Sequence, residues 1–579
     1  MTRPINFNEH FRPDRLAENI AERWVTLDGQ RSGWKDRVLE LRDYLFATDT
    51  KTTSNSKLPW KNSTTLPKLT AMRDILHAQM MLALFPNADW FVWQARDQES
   101  ANKKKSKAIS AYMRIKLDQS GFRSEVSRMV YDLIDTGNCF GEAGFRRETK
   151  EDGTILFEGP IARRISPYDL VFDPTVDRFS DSPVIIRRVC TTGELIVQME
   201  DDPGLGYSKE VVRKLIENKG ALRSFAESDL RKHRGVSIDG FGDMYTYVNS
   251  DLCEILEFQG DWYDSDNGVV HRNQRITVLD RMYVLAQREV EAYMKNSVFH
   301  AGWRERPDNL WCMGPLDNLV GMQYRIDHIE NAKADAIDEF IHPKKIIKGY
   351  VEDFDDVPGE RIYVGDDGAV EFVRPDLSFL QYDQELQFYI AAMEEMAGVP
   401  KDLAGIRTPG NKTLFEVEQL RNNGQALFLN RTSFVEENYL EKLINAMLDL
   451  SIRRMGRKDQ IAIYNEDFGI TEFIEITPED LTGNGLIKPI GARRFQTQQA
   501  LIQNLTNFAN SPLGQDPAVN IHISGLRMAQ LFEELLGVER FNVVRPNIRI
   551  FEQTETQKLA QAAQDEVAVD GMTSTETTG

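Results

Sequence analysis

Between Pro315 and Met455 the chain alternates long helical patterns with short breaks, an arrangement foreign to most enzyme pockets. Leu316 to Ile341 has helical periodicity and stops at Pro343, which has no N–H to donate and whose ring clashes with the preceding turn. A compact β-rich insert follows, then a second helical stretch, a Gly/Pro/Thr loop, and a third helix from Thr413 to Met455. At ~1.5 Å per residue the first helix is about 39 Å long. Its apolar stripe (Leu319, Met322, Ile326, Ile329, Ala336, Phe340) is broken at Lys333, so it must pack sideways on neighbours. A second stripe holds Asp327, Asn331, Asp335 and Asp338. Such a stripe is ordinarily a solvated face. The sharper alternative is that Asp327, Asp335 and Asp338 line a water-filled passage.

The insert carries Lys344, Lys345 and Lys348, then Glu352, Asp353, Asp355 and Asp356. Calcium fails on spacing: counted from Asp353, the place that requires glycine holds Pro358. A polar docking surface is the better reading, closed by a hairpin that pairs 361–364 with 369–373 around Gly365–Gly368. In the loop, Gly405 to Thr413 approaches a phosphate-binding pattern, but Asn411 separates Gly410 from Lys412 and no strand precedes it. Thr413 and Glu416 instead form a capping box for the third helix, with Leu414, Val417, Leu420, Leu427 and Phe434 as its stripe and Gly424 as a bend.

Upstream, two amphipathic helices occupy 14–47, a polar loop 48–67, and helices 68–85, 108–118 and 122–136. The lysines at 103, 104, 105 and 107 read as a solvated helix face or as a nucleic-acid patch. From Asn138 strands dominate: 139–147, 155–165 with Pro160 marking an edge or a break, an extended 166–174, and a sheet from Ile255 to Leu285 with a turn at 264–268. Two short helices, 193–199 and 209–218, interrupt them. Beyond Met455 come strands 461–464 and 473–476, helices 497–508 and 526–536, and an Ala/Gln/Thr/acid tail that reads as disordered.

With 579 residues, several domains are expected, in an α+β class. No run approaches the ~18 apolar residues of a membrane span, so no membrane anchor is expected. The start, MTRPINFNEH, has no apolar signal core. Cys139, Cys190, Cys253 and Cys312 are scattered, which suggests reduced thiols and no zinc. A net charge of −20 argues against a protein that grips DNA, though not against one that lets DNA pass. No catalytic motif assembles, dispersed histidines read as surface or satisfied core groups, and no cofactor is expected.

In its order of elements the chain resembles the portal proteins (head–tail connectors) of tailed bacteriophages. The resemblance rests on the helix from Leu316, the insert after Pro343, the returning helix from Leu377, the 398–412 loop and the helix from Thr413. Trp60 to Thr65 and Ser166 to Pro174 are similar too. It implies a portal-like fold: wing 1–314, stem helix 315–342, clip 343–376, second stem helix 377–397, tunnel loop 398–412, wing helix and returning strands 413–495, crown helices 496–557, tail 558–579. It also implies a non-enzymatic ring of about twelve copies at one capsid vertex of the virion, assembled in the host cytoplasm. Its partners would be the terminase packaging motor and later tail adaptor proteins at the clip, the major capsid or scaffolding protein, and double-stranded DNA in the channel. Arg407, Asn411 and Lys412 would face that DNA. A DNA-packaging ATPase and another virion structural protein are the rival readings.

Overall fold

The computed structural model describes residues 14–47, 62–87, 90–97, 103–150, 152, 155–201, 205–223, 251–264, 268–290, 297–349, 363, 368–373, 382–397, 428–456, 459–465 and 470–491. The chain divides into two units, one of Met1–Leu84, Val92–Asp459 and Glu475–Pro489, the other of Phe85–Phe91, Gln460–Ile474 and Ile490–Gly579.

The first unit opens with helices α1 (Arg15–Gln30) and α2 (Ser32–Leu45). Then come α3 (Lys68–Leu84), β1 (Phe91–Ala95), α4 (Lys103–Gln119) and α5 (Phe122–Thr136). Strands β2 (Asn138–Thr149), β3 (Ile155–Ile165), β4 (Leu170–Phe172) and β5 (Val184–Thr191) lead to helices α6 (Thr192–Asp201) and α7 (Lys209–Arg223). After these come β6 (Leu252–Asp264), β7 (Val269–Leu279), β8 (Tyr283–Glu289), β9 (Val298–Gly302), β10 (Arg304–Arg306) and β11 (Asn309–Met313). The α+β expectation holds.

Two antiparallel sheets form the centre of this unit, a three-stranded one in the order β3-β2-β9 and a five-stranded one in the order β4-β5-β6-β7-β8. The larger is covered on both faces, and period-two alternation divides its side chains. Val171, Ile185, Leu256, Phe258, Ile276 and Val278 pack on Ala17, Ile20 and Trp24 of α1. Their neighbours Leu170, Phe172, Val184 and Ile186 point the other way, onto Trp34 and Val38 of α2, Phe140, Val298 and Trp311. Farther along that second face Cys253, Ile255 and Leu279 meet Leu195 of α6 and Val212 and Leu215 of α7. Each fully buried Leu, Ile or Phe contributes roughly 1.5–3 kcal/mol, so a strand that is apolar on both faces is what such a position demands.

Pro160 lies on β3, which is an edge strand, as its missing N–H requires. The expected run from Arg275 to Leu285 is instead two strands. Asp280 and Arg281 adopt left-handed φ angles of 50° and 58°. The Asp280 carboxylate accepts the Glu254 N–H at 2.9 Å, and Arg281 Nε donates to Glu254 at 2.8 Å. That turn is held by a residue 26 positions away, so local pattern could not reveal it. Strands β9, β10 and β11 likewise lie in a stretch that carried no strand expectation. Cys190 and Cys253, distant in sequence, sit opposite each other on β5 and β6 with their Sγ atoms 3.6 Å apart.

The chain continues through α8 (Val320–Ile341), β12 (Lys344–Lys348), β13 (Ala369–Val373) and α9 (Tyr382–Ala397) to a long helix α10 over 428–454, which contains a π-helical turn at Glu436–Leu440. The expected bend at Gly424 and the stripe from Leu414 to Leu427 lie outside the described residues; the irregularity within them is this π turn. Strands β14 (Asp459–Asn465) and β15 (Ile470–Ile476), the short helix α11 (Pro478–Leu481) and β16 (Gly485–Pro489) end the description. Strand β16 pairs with β1, and β14 with β15. In the second unit Trp90 stands edge-on to Phe85 and Phe91. The helices expected at 497–508 and 526–536 and the tail fall outside the described residues.

Candidate functional site

The stem expectation falls on α8, and the structure divides that helix in two. Leu319, Gln323, Ile326, Asp327, Ile329 and Asn331 are buried, whereas no described residue from 332 to 341 is. Ile341 is 61% exposed. Of the predicted apolar stripe, then, only Leu319, Ile326 and Ile329 enter the core; Met322, Ala336 and Phe340 are half-buried.

The polar stripe has a definite partner. Residues 62–66 run extended along α8 in the opposite direction. The N–H groups of Asn62, Thr64 and Leu66 donate to Asp335 (2.9 Å), Asn331 (2.8 Å) and Asp327 (3.0 Å). Two extended residues advance ~6.6–6.8 Å, and four helical residues ~6.0 Å. Every second strap amide therefore meets one helix position per turn. The carbonyls are satisfied as well: Asn331 Nδ2 donates to Thr64 O at 2.9 Å, and Gln323 Nε2 to Leu66 O at 2.6 Å. Asn331 thus answers both backbone groups of Thr64, which an aspartate could not do because it has no donor. Thr65 Oγ1 adds a bond to Asp327 at 2.9 Å, and Asn62 Nδ2 reaches Asp335 (2.7 Å) and Asp338 (3.0 Å).

This geometry corrects the passage-lining assignment for Asp327, which is 3% exposed and whose oxygens are taken by Leu66, Thr65 and Gln323. Burial pushes its carboxyl above the ordinary range, while the three donors pull the other way. Asp335 is half-buried under Asn62, and Asp338 stays exposed. The stripe is neither a bare solvated face nor, at Asp327, a wetted lining. It binds a strap.

Helix α9 braces a further side of α8. Arg325 pairs with Glu385 at 3.3 Å and Lys333 with Asp383 at 2.6 Å, so the two helices run antiparallel. Lys333, which broke the apolar stripe, has its reason here. Both pairs are largely exposed and each contributes little, ~0–1 kcal/mol. The outer side of α9 leaves Phe388 69% exposed.

At the tip, β12 and β13 pair antiparallel from Lys344↔Val373 to Lys348↔Ala369. Strand 369–373 pairs on one edge with 344–348; the expected partner 361–364 lies, apart from residue 363, outside the described residues. Lys345 lies over the Phe372 ring at 5.9 Å, and Lys348 is exposed. Ile346, Ile347 and Phe372 are exposed beside them, an apolar component that the polar reading had missed. Glu352, Asp353, Asp355 and Asp356, and the loop residues Arg407, Asn411 and Lys412, lie outside the described residues. Of the lysine cluster, Lys105 donates to Thr482 O at 3.2 Å from the first turns of α4. His300 is a satisfied histidine, with Nε2 3.0 Å from Asn138 Oδ1.

Residues 17–145 match the family model described as bacteriophage head to tail connecting protein. That match supports a phage portal or head–tail connector. It also supports a place in the virion, in association with head and tail components. No curated protein matches the chain. The connector segment runs from α1 into β2 and contains the strap 62–66, whereas α8 lies beyond it. The two sides of the ladder therefore come from inside and outside the connector match. Among the described residues no helix is long and apolar enough to cross a membrane.

Proposed function

We propose that this connector-type chain is the subunit of a ring, of about twelve copies, that forms a DNA conduit at one capsid vertex for packaging, tail attachment and ejection. The observation that carries the reading is the connector match over 17–145. Three features support it further. Helix α8 leaves its own core half-way, and the exposed Ile337, Ile341 and Phe388 are side chains that a neighbouring copy would cover. The tip sheet combines lysines with exposed Ile346, Ile347 and Phe372, which suits it to dock a packaging motor and later a tail adaptor. A net charge of −20 weakens adhesion of phosphate, so DNA would slide rather than stick. Asp335 and Asp338 remain stem positions for that passage, and Arg407, Asn411 and Lys412 the loop residues set against the DNA.

Negative-stain microscopy of the purified full chain tests the proposal. Rings with a central hole are expected; monomers or flat sheets would overturn it. The rival reading, a packaging ATPase built on Gly405–Thr413, predicts nucleotide hydrolysis by the chain alone. The portal reading predicts none.

A further inference from the structure

The two sheets of the first unit meet across a seam of opposite charges. Glu142 on β2 pairs with Arg163 on β3 and accepts from Arg275 of β7 at 2.7 Å. Glu257 on β6 holds Arg188 of β5 at 3.0 Å and Arg275 at 2.5 Å. Ser297 ties Arg275 and Glu142 together, at 3.0 and 3.1 Å. Both carboxylates are buried, and the arginines hold them well below the ordinary carboxylate range.

Beside this seam lies a cavity of about 300 Å³, which Arg454 from the last turn of α10 also lines. That volume is at the lower end of the range ligand pockets occupy, roughly 300–1,000 Å³. The charged lining residues are four arginines (Arg163, Arg188, Arg275, Arg454) and two glutamates (Glu142, Glu257), so four positive against two negative charges leave an excess of two. Arg163 and Arg454 are exposed, so solvent screens that excess, and it gives the cavity a positive rim rather than a buried, unmatched charge. Guanidinium groups carry five N–H donors each, and the seam contacts of Arg163 and Arg188 run through Nη2 alone. The planar forks match the oxygens of an oxyanion. The surplus is all the more notable in a chain of net charge −20.

We propose that this cavity binds one small tetrahedral oxyanion, of the phosphate class, held by Arg188, Arg163 and Arg454. The anion balances the seam and tightens the junction between the two sheets. The proposal stands apart from the conduit reading and would survive its failure.

Equilibrium dialysis of the full-length protein against inorganic phosphate, with acetate as the background anion, tests it. One saturable site per chain is expected at millimolar phosphate or below. Arg454→Ala and Arg188→Gln are each expected to weaken it at least about tenfold, the loss of one charge-assisted contact. Arg188→Lys should restore part of the affinity. Arg454 is exposed, so its variant keeps the test valid if Arg188→Gln fails to fold. Absence of saturable binding, equal competition by acetate, or unchanged affinity in Arg454→Ala would each overturn the proposal.

Discussion

Replacing Asp327 by alanine tests whether the strap is held by the ladder. The substitution removes the acceptor for the Leu66 N–H, the Thr65 hydroxyl and one Gln323 N–H. A hydrogen bond to a charged group contributes about 1.5–3 kcal/mol net, and a buried donor left unpaired costs about 1–3 kcal/mol. Gln323 keeps Leu66 O, and Thr65 and Leu66 are half-buried, so water can reach part of what is lost. Release of the buried carboxylate offsets some of the rest. The net penalty for holding the strap is therefore about 2–3 kcal/mol, or roughly 30- to 150-fold in the local opening equilibrium. Hydrogen exchange followed by mass spectrometry, on peptides covering 62–70, reads that change directly. Peptides from β7 and β8 serve as the internal reference. Asp338→Ala, which removes one exposed contact to Asn62, should change the same peptides only slightly. If Asp327→Ala leaves strap protection within threefold of the parent, or if Asp338→Ala matches it, the burial argument fails. Acidity adds a sign. Because the folded pKa of Asp327 is raised, its own titration favours the native state below the ordinary carboxylate pKa, and that contribution is lost as pH rises through the raised value.

Arg31 should be harder to replace. Its guanidinium donates to Pro167 O (2.5 Å), Leu170 O (2.7 Å) and Tyr168 O (2.5 Å), clamping the Ser166–Pro174 turn, so Arg31→Ala is expected to cost about 3–5 kcal/mol and to lower the urea midpoint sharply. Arg31→Lys, which cannot span three carbonyls, should recover little of it. Although part of His300 reaches solvent, its ring is packed among Phe140, Phe172 and Phe179, and that desolvation lowers its pKa to about 3. The unfolded chain therefore takes up the proton first, and stability falls as pH drops from about 6.5 towards 3; His300→Gln should flatten that slope in acid-unfolding curves, and an unchanged slope would refute the assignment.

Much of the first unit was legible in advance because its signals are local. The spacing of Ile20 and Trp24 dictates a helix whatever it packs on, and the run from Ile255 announced a sheet, whereas the strand around Ile185 carried no expectation. The chemistry of Pro160 narrowed its position to an edge strand or a break, and the strand order decided for the edge. The same chemistry at Pro343 placed the end of α8 correctly.

What the stripe on α8 does was decided elsewhere. Asp327, Asn331 and Asp335 recur once per turn, a pattern compatible with water, a passage or a partner. Only the arrival of residues 62–66, more than 260 positions away in sequence, settled which. The Glu254-held turn at Asp280 and Arg281, the pairing of β12 with β13, and the arginine surplus beside Glu142 and Glu257 share that origin. Periodicity reports which face of an element is apolar, since that follows from backbone geometry. It carries no information about which distant polar group will meet the other face, because long-range hydrogen bonds and ion pairs are chosen by the packing of the whole chain.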